Sequence, residues 1–280
     1  SKAGVPCGGI VTIGGKSSSG KSALALNVLG SFQRNIALSG KVDRDGDLVK
    51  EGNVLLLDAE RSFSHDWYAR TGLGIGAVLK NGEWVDNGED NFRLIQSNEG
   101  EVTLDVVQEA VNSGLYDAIL VDSTTALVPM ADLAENSDLS DQNMALLARL
   151  MSRHLKRIKN LARKRECTVI YIAQPRKNMD KYQTFIESLG ANAIQFYSDL
   201  ILKVSRTEWI GKNDEPDGLV SKVSCVKNKV SKPGKSASFS LYYEGESAFD
   251  YDMDYVDSAV MITEEAEEAG LPIFLVKKAG

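Results

Sequence analysis

A glycine-rich segment near the start of the chain has the residue types and spacing of a phosphate-binding loop. Residues 15–22 fit the pattern G-x-x-x-x-G-K-[ST] and lie between an apolar run and an Ala/Leu-rich helical segment. The glycines permit backbone angles that turn successive N–H groups towards one anion, and the helix start adds partial positive charge. A triphosphate is the expected ligand, held by Gly15, Lys16, Ser17, Ser18, Ser19, Gly20, Lys21, Ser22 and Ala23.

Two side chains of this loop have distinct expected tasks. Lys21 is expected to contact the β and γ phosphates, and the Ser22 hydroxyl to ligate the Mg²⁺ that bridges them. The alternative is a Gly/Ser-rich turn that binds nothing. The agreement of the eight-residue pattern with its strand–loop–helix setting disfavours that alternative.

Acidic residues follow two apolar runs that we interpret as core strands. Asp58 and Glu60 end the first run, and Asp122 ends the second. Because ligands of open α/β folds collect at the carboxyl ends of the strands, Glu60 is predicted to orient and activate the attacking water. Asp122 is predicted to ligate Mg²⁺ through water. The alternative for Glu60 is an acidic helix cap just past a strand.

A third apolar run, at residues 168–173, ends in Gln174. Its neutral amide could sense the γ-phosphate and move the loop that follows. The alternative is a polar residue at a strand end with no special role.

The elements that must position these residues alternate as in an α/β fold with a mostly parallel central sheet flanked by helices. Strands are predicted at 9–13, 53–58, 92–96, 118–122 and 168–173, and helices at 21–32, 103–113 and 141–164. Strand patterns at 200–209, 219–226 and 237–243 predict an extension by antiparallel strands. The polar stretches 39–52 and 80–91 contain Asp-Gly or Asn-Gly turn signals and are interpreted as surface insertions.

Composition limits the function classes. The 280 residues carry a net charge of −7, which disfavours indiscriminate coating of nucleic acid, yet residues 149–165 are dense in Lys and Arg. This run predicts either a local basic surface or the solvated face of an amphipathic helix. Three separated cysteines and two histidines predict reduced thiols, no zinc site and a cytoplasmic location. No apolar stretch is long enough to predict a membrane span.

Six segments, in order, resemble the bacterial RecA recombinases, and the resemblance covers nearly the whole chain. The segments are Asp58-Ala59-Glu60 with Tyr68-Ala69-Arg70, Val121-Asp122-Ser123 with Ala126-Leu127-Val128-Pro129, Met144 to Ser152, Gln174-Pro175-Arg176, Gly190 to Tyr197, and Val226-Lys227-Asn228-Lys229. This resemblance implies a RecA-type P-loop ATPase core at residues 1–252, with ATP and Mg²⁺ as cofactors. It also implies a DNA-dependent ATPase that forms filaments on single-stranded DNA and promotes homologous pairing and strand exchange with duplex DNA.

The resemblance also assigns site residues. It implies that Tyr68 stacks on adenine, that Gln174 senses the γ-phosphate, and that Lys227 and Lys229 reach the nucleotide of a neighbouring subunit. The two lysines alternate along a strand and would face the same side, although a solvated strand face is the alternative. DNA-binding loops are expected near 129–143 and 175–190, with DNA contacts from Met144, Ala145, Arg149, Ser152, Lys156, Arg176, Gly190, Ala191 and Asn192.

The chain departs from the family pattern at several points. Ala191 and Gln195 stand where the family usually has glycine and lysine. The N-terminal helix and strand of the family are expected to lie outside this sequence, and 253–280 is expected to form a short C-terminal helix and strand. Such a compact, divergent core would fit a bacteriophage-encoded member.

Two other functions stay open at this point. One is a RecA-like paralogue or mediator without strand-exchange activity, which Ala191 and Gln195 favour. The other is an ATP-gated regulatory or assembly module with little hydrolysis, which Glu60 disfavours.

Overall fold

A computed structural model describes residues 5–36, 46–47, 51–132, 141–175, 185, 192–212, 214–231 and 233–250. The helices are α1 (Lys21–Asn35), α2 (His65–Arg70), α3 (Gly100–Ser113), α4 (Asp141–Arg165) and α5 (Asn192–Tyr197). The strands are β1 (Gly9–Gly15), β2 (Val54–Asp58), β3 (Ala77–Lys80), β4 (Glu83–Asp86), β5 (Phe92–Ile95), β6 (Ala118–Asp122), β7 (Thr168–Ala173), β8 (Leu200–Lys212), β9 (Glu215–Asn228), β10 (Ser236–Tyr242) and β11 (Phe249–Asp250).

Nine strands form one mixed sheet in the order β11-β10-β9-β8-β1-β7-β6-β2-β5. The strands from β8 to β5 in this order pair in parallel, whereas β8, β9, β10 and β11 pair antiparallel. Strands β1, β2, β6 and β7 are buried along their full length, as expected for parallel strands covered on both faces. The predicted α/β architecture with an antiparallel extension is therefore confirmed.

Two apolar clusters lie on opposite faces of the sheet because side chains alternate along each strand. One cluster joins α1 and α2 to residues such as Val11 and Leu56. The other joins α3, α4 and α5 to residues such as Leu55 and Leu57. The alternation in β2 shows how a run of leucines serves both layers.

A β3–β4 hairpin stands outside the main sheet. Its turn and β4 lie in the stretch 80–91 that was predicted to be an insertion, whereas β3 leads into that stretch. Its connection is Asn81-Gly82, with φ of 52° and 85°, so the Asn-Gly turn signal is confirmed. The sequence patterns did not predict its two strands, nor the short helices α2 and α5. Most of the other stretch, 39–52, lies outside the described residues, as does the expected C-terminal element at 253–280.

Within the described part of the chain, no helix is both long and apolar enough to cross a membrane.

Candidate functional site

The phosphate loop connects β1 to α1 and depends on its two glycines for different reasons. Gly20 precedes the first turn of α1 with φ 79° and ψ 15°, a left-handed conformation that favours glycine. Gly15 was expected to need unusual backbone angles, and the structure corrects this. A Cβ at Gly15 would lie 2.3 Å from the Val204 carbonyl oxygen, so glycine is required there for close packing against β8.

Two residues of the antiparallel extension hold the loop through its carbonyl groups. Ser221 Oγ donates to the Ser19 carbonyl at 2.8 Å, in a buried position. Arg206 Nη1 donates to the Ser18 carbonyl at 3.1 Å, and its guanidinium lies 3.8 Å from the centroid of the Trp209 ring. Sequence reasoning missed both contacts. They join residues 202 and 188 positions apart, and no local pattern marks them.

Lys21 is the first residue of α1, directly after the loop glycine Gly20, and is 6% exposed. Its Nζ donates to the Lys16 carbonyl at 2.8 Å. Burial lowers the pKa of Lys21, while the negative charges of Asp122 and Glu60 act in the opposite direction. The ammonium group is thus flanked by carboxylates on one side and by the loop backbone on the other.

Asp122 offers carboxylate oxygens, which are the kind of ligand that Mg²⁺ prefers. Burial raises its pKa to about 6, and the charges of Glu60 and Asp58 act in the same direction, whereas the Ser22 hydroxyl and Lys21 lower it. Asp122 Oδ1 is buried and has no hydrogen-bond partner among the described residues. An unpaired carboxylate oxygen beside a serine hydroxyl fits an Mg²⁺ ion or its water ligands. The described residues contain no group of three or more Asp, Glu, His or Cys side chains arranged to hold a metal ion.

Glu60 lies just beyond β2 and reaches the end of β6. Its Oε1 accepts a 2.7 Å hydrogen bond from Ser123 Oγ, and its side chain is exposed. The backbone supports this contact, since Ala59 N–H donates to the Asp122 carbonyl at 2.7 Å. The prediction that strand-end carboxylates share one edge of the sheet is confirmed.

Asp58, which the sequence marked only as the end of a strand, organises the segment that carries Glu60. Its Oδ2 accepts from the Phe63 N–H and from Gln96 Nε2, both at 3.0 Å. Its side chain is fully buried, so it supports the segment from inside the protein.

Gln174 follows β7 and contacts the phosphate loop. Ser17 Oγ donates to Gln174 Oε1 at 3.2 Å. The proposed sensor and the phosphate loop are adjacent, although they are 157 residues apart in sequence.

The expected stacking of Tyr68 on a base does not fit this arrangement. Tyr68 is 2% exposed, and its ring packs edge-on against Phe63 with 4.8 Å between centroids. Its hydroxyl lies 3.3 Å from Ser62 Oγ. Because the ring belongs to the core beside α1, neither face is open to a ligand. Ala23 is likewise buried, which leaves only its backbone for contact with a nucleotide.

Lys227 and Lys229 lie at the end of β9 and contact α5. Lys229 Nζ donates to the Phe196 carbonyl at 3.0 Å, and Lys227 Nζ donates to the Gln195 carbonyl. The structure thus brings Lys21, Ser22, Glu60, Asp122 and Gln174 to one edge of the sheet but places these two lysines on a helix end.

The residues expected to contact DNA are only partly described. Arg149, Ser152 and Lys156 lie on α4 and are exposed. Their spacing of three to four residues puts them on one face of the helix. Met144 and Ala145 belong to the first turns of α4 and Asn192 begins α5, but their side chains lie outside the described residues, as do Arg176, Gly190 and Ala191 entirely.

Comparison with known proteins points to one family. The model of the RecA N-terminal domain matches residues 1–247. Protein RecA of Campylobacter lari is 35% identical over 255 residues, which cover 90% of this chain and 65% of that protein. Protein RecA of Campylobacter hominis is 33% identical over 255 residues, which cover 90% of this chain and 64% of that protein. Protein RecA of Chlorobium chlorochromatii is 31% identical over 280 residues, which cover 99% of this chain and 66% of that protein.

The chain therefore spans just under two thirds of the length of these curated relatives. The matched region includes the phosphate loop, the carboxylates at the ends of β2 and β6, and Gln174. Since the domain model covers most of the sequence and the same residues converge at one sheet edge, the chain belongs to the RecA family.

Proposed function

We propose that this chain is the ATPase core of a RecA-type recombinase. In this proposal it binds ATP with Mg²⁺, assembles into filaments on single-stranded DNA, and promotes homologous pairing and strand exchange with duplex DNA. The observation that carries the ATPase part is the convergence of Lys21, Asp122 and Glu60 at the mouth of the phosphate loop.

The residues of the site have different proposed roles in phosphoryl transfer. Lys21 offers a buried ammonium to the β and γ phosphates in place of its bond to the Lys16 carbonyl. Ser22 and Asp122 would hold Mg²⁺ and its waters, and the ion would neutralise part of the charge on the phosphates. Glu60, with one oxygen fixed by Ser123, orients a water molecule and accepts its proton.

The proposed DNA contacts use the exposed face of α4 together with the segments that flank it. Arg149 and Lys156 are cations that can pair with phosphates, and Ser152 can donate a hydrogen bond. Such contacts give affinity without sequence preference, which suits a search for homology. Of the basic run, Lys159 and Arg163 are instead paired with Asp199, so the proposed DNA surface is narrower than the run itself.

The proposed trans role of Lys227 and Lys229 requires a second subunit. Both are cations at the end of one strand, and in a filament they would stabilise charge on the nucleotide of the neighbour. The cytoplasm is the proposed location, in keeping with cysteines that form no disulfide among the described residues.

The decisive test is ATP hydrolysis with and without single-stranded DNA at two salt concentrations. We expect DNA to stimulate hydrolysis strongly. The stimulation should weaken as salt rises, because binding to DNA phosphates releases counterions and this release is less favourable at high salt. Strand exchange between homologous substrates is then the next assay. Hydrolysis that ignores DNA would favour the paralogue or mediator, and binding without hydrolysis would favour the ATP-gated module.

A further inference from the structure

Three lysines meet the last three carbonyl groups of helix α5. Lys159 Nζ donates to the Tyr197 carbonyl at 2.8 Å, and Lys229 and Lys227 donate to the two preceding carbonyls. Carbonyl groups at a helix end lack partners within the helix and carry partial negative charge. Three ammonium groups from two different elements therefore cap one helix end.

The three lysines are not equivalent. Lys159 also forms an ion pair with Asp199, whose side chain is 2% exposed and accepts a 2.7 Å hydrogen bond from Arg163. In the described part of the chain, Lys227 and Lys229 have no acidic partner within ion-pair distance. Lys227 and Lys229 are thus held on the helix by neutral carbonyl groups without an ion pair, whereas Lys159 is also held by a buried carboxylate.

Asp199, the ion-pair partner of Lys159, also bonds to β1, the strand that leads into the phosphate loop. Its Oδ2 accepts from the Ile10 N–H at 3.0 Å, and its own N–H donates to the Ile10 carbonyl at 2.7 Å. Its carbonyl accepts from the Lys229 N–H at 2.8 Å. One buried carboxylate residue therefore joins β1, α4 and the end of β9.

We propose that Lys159, anchored on Asp199, is a positioning residue of a composite nucleotide site. It holds the carboxyl end of α5 in place when Lys227 and Lys229 leave that end for the phosphates of a nucleotide on the adjacent subunit. This inference rests on the proposed trans role of the two lysines.

The exchange follows from the relative strength of the contacts. A carbonyl group is a neutral acceptor, whereas a triphosphate carries several charges and forms stronger, charge-assisted hydrogen bonds. After the exchange, the Gln195 and Phe196 carbonyls turn to water, and Lys159 alone offsets the negative end of the helix.

The electrostatics provide a readout that is independent of activity. Burial lowers the pKa of Lys227 to about 8, helped by the charges of Lys229 and Lys159 and opposed by Asp199. Arg163 is the other cation that faces Asp199 in this cluster. Removing the Lys159 charge should therefore raise the pKa of Lys227.

The test compares Lys159→Met with Lys164→Met, an exposed position on the same helix. The pKa of Lys227 is measured in the nucleotide-free full chain from the pH dependence of its acetylation, and ATP turnover is measured with single-stranded DNA. We expect Lys159→Met to raise that pKa and to lower kcat roughly threefold to tenfold with KM for ATP unchanged. Lys159→Arg keeps the charge and should restore kcat.

The possible outcomes separate this inference from the proposed function. If Lys159→Met lowers only the melting temperature, or matches Lys164→Met in both measurements, the inference is overturned. A Lys227→Met variant, measured in parallel, shows whether the trans role of Lys227 or only the positioning role of Lys159 has failed. If Lys227→Met loses turnover while Lys159→Met behaves like the control, the trans role stands and only the positioning role fails. If Lys227→Met turns over normally on DNA, the trans role itself fails and the inference fails with it.

Discussion

The Ser123 hydroxyl donates a 2.7 Å hydrogen bond to Oε1 of Glu60. The two residues are 63 positions apart and follow the ends of β6 and β2, which pair in parallel. The contact fixes one carboxylate oxygen while the side chain stays exposed. A water molecule beside the phosphate loop can therefore meet a carboxylate of defined orientation.

Glu60→Gln should retain ATP binding and lose hydrolysis by at least about a hundredfold, because an amide cannot accept the proton of the attacking water. Turnover and nucleotide affinity are measured on the same preparation. Ser123→Ala should lower kcat less than Glu60→Gln does, since it removes only the orienting bond. Normal turnover in Glu60→Gln would remove this residue from the catalytic role.

Lys21→Ala should weaken ATP binding roughly tenfold to a hundredfold, since a charge-assisted contact to the phosphates is lost. Calorimetric titration with a non-hydrolysable ATP analogue measures the effect. Lys164→Ala, which removes an exposed lysine near the carboxyl end of α4, is the matched control. Equal affinity in the two variants would contradict the assignment of the phosphate loop.

Asp122→Asn should stabilise the nucleotide-free protein at pH 8 and weaken binding of Mg²⁺-ATP. Because the pKa of Asp122 is raised to about 6, its ionised form disfavours the folded state above that pH, at a cost of up to about 3 kcal/mol. Below about pH 4 the carboxyl group is protonated in both the folded and unfolded states, so the gain should vanish. Melting temperatures of both proteins across this pH range test the prediction, which fails if the gain is the same at pH 4 and pH 8.

Ser221→Ala should destabilise the phosphate loop, because it leaves the buried Ser19 carbonyl without its donor at a cost of about 1–3 kcal/mol. We expect both a lower melting temperature and weaker ATP binding. An unchanged melting temperature and unchanged ATP affinity in Ser221→Ala would show that the hydroxyl does not hold the loop.

Mixed subunits test whether nucleotide sites are shared. Lys21→Ala and Lys227→Met should each abolish DNA-stimulated hydrolysis when present alone. In a mixture, the intact phosphate loop of one variant can face the intact Lys227 of the other, so part of the activity should return. No recovery at any mixing ratio would argue against a trans role for Lys227.

The sequence was sufficient to predict elements whose signals are local. The strands β6 and β7 were predicted with the bounds that the structure has, because buried parallel strands read as continuous apolar runs. The Asn81-Gly82 turn was predictable since few residue pairs accept two positive φ angles. Short elements such as α5 were missed, because six residues carry too little periodicity to be recognised.

The residues proposed to carry the chemistry, in the phosphate loop and at the ends of the core strands, could be identified from sequence patterns alone. Those assignments follow from spacing along a strand, a loop or a helix, and spacing is a local property. The contact partners of these residues, in contrast, depend on tertiary packing. It buried Tyr68 in the core, set Ser221 and Arg206 behind the phosphate loop, and seated Lys227 and Lys229 on the end of α5. Such contacts depend on the packing of elements far apart in the chain, and no local pattern encodes them.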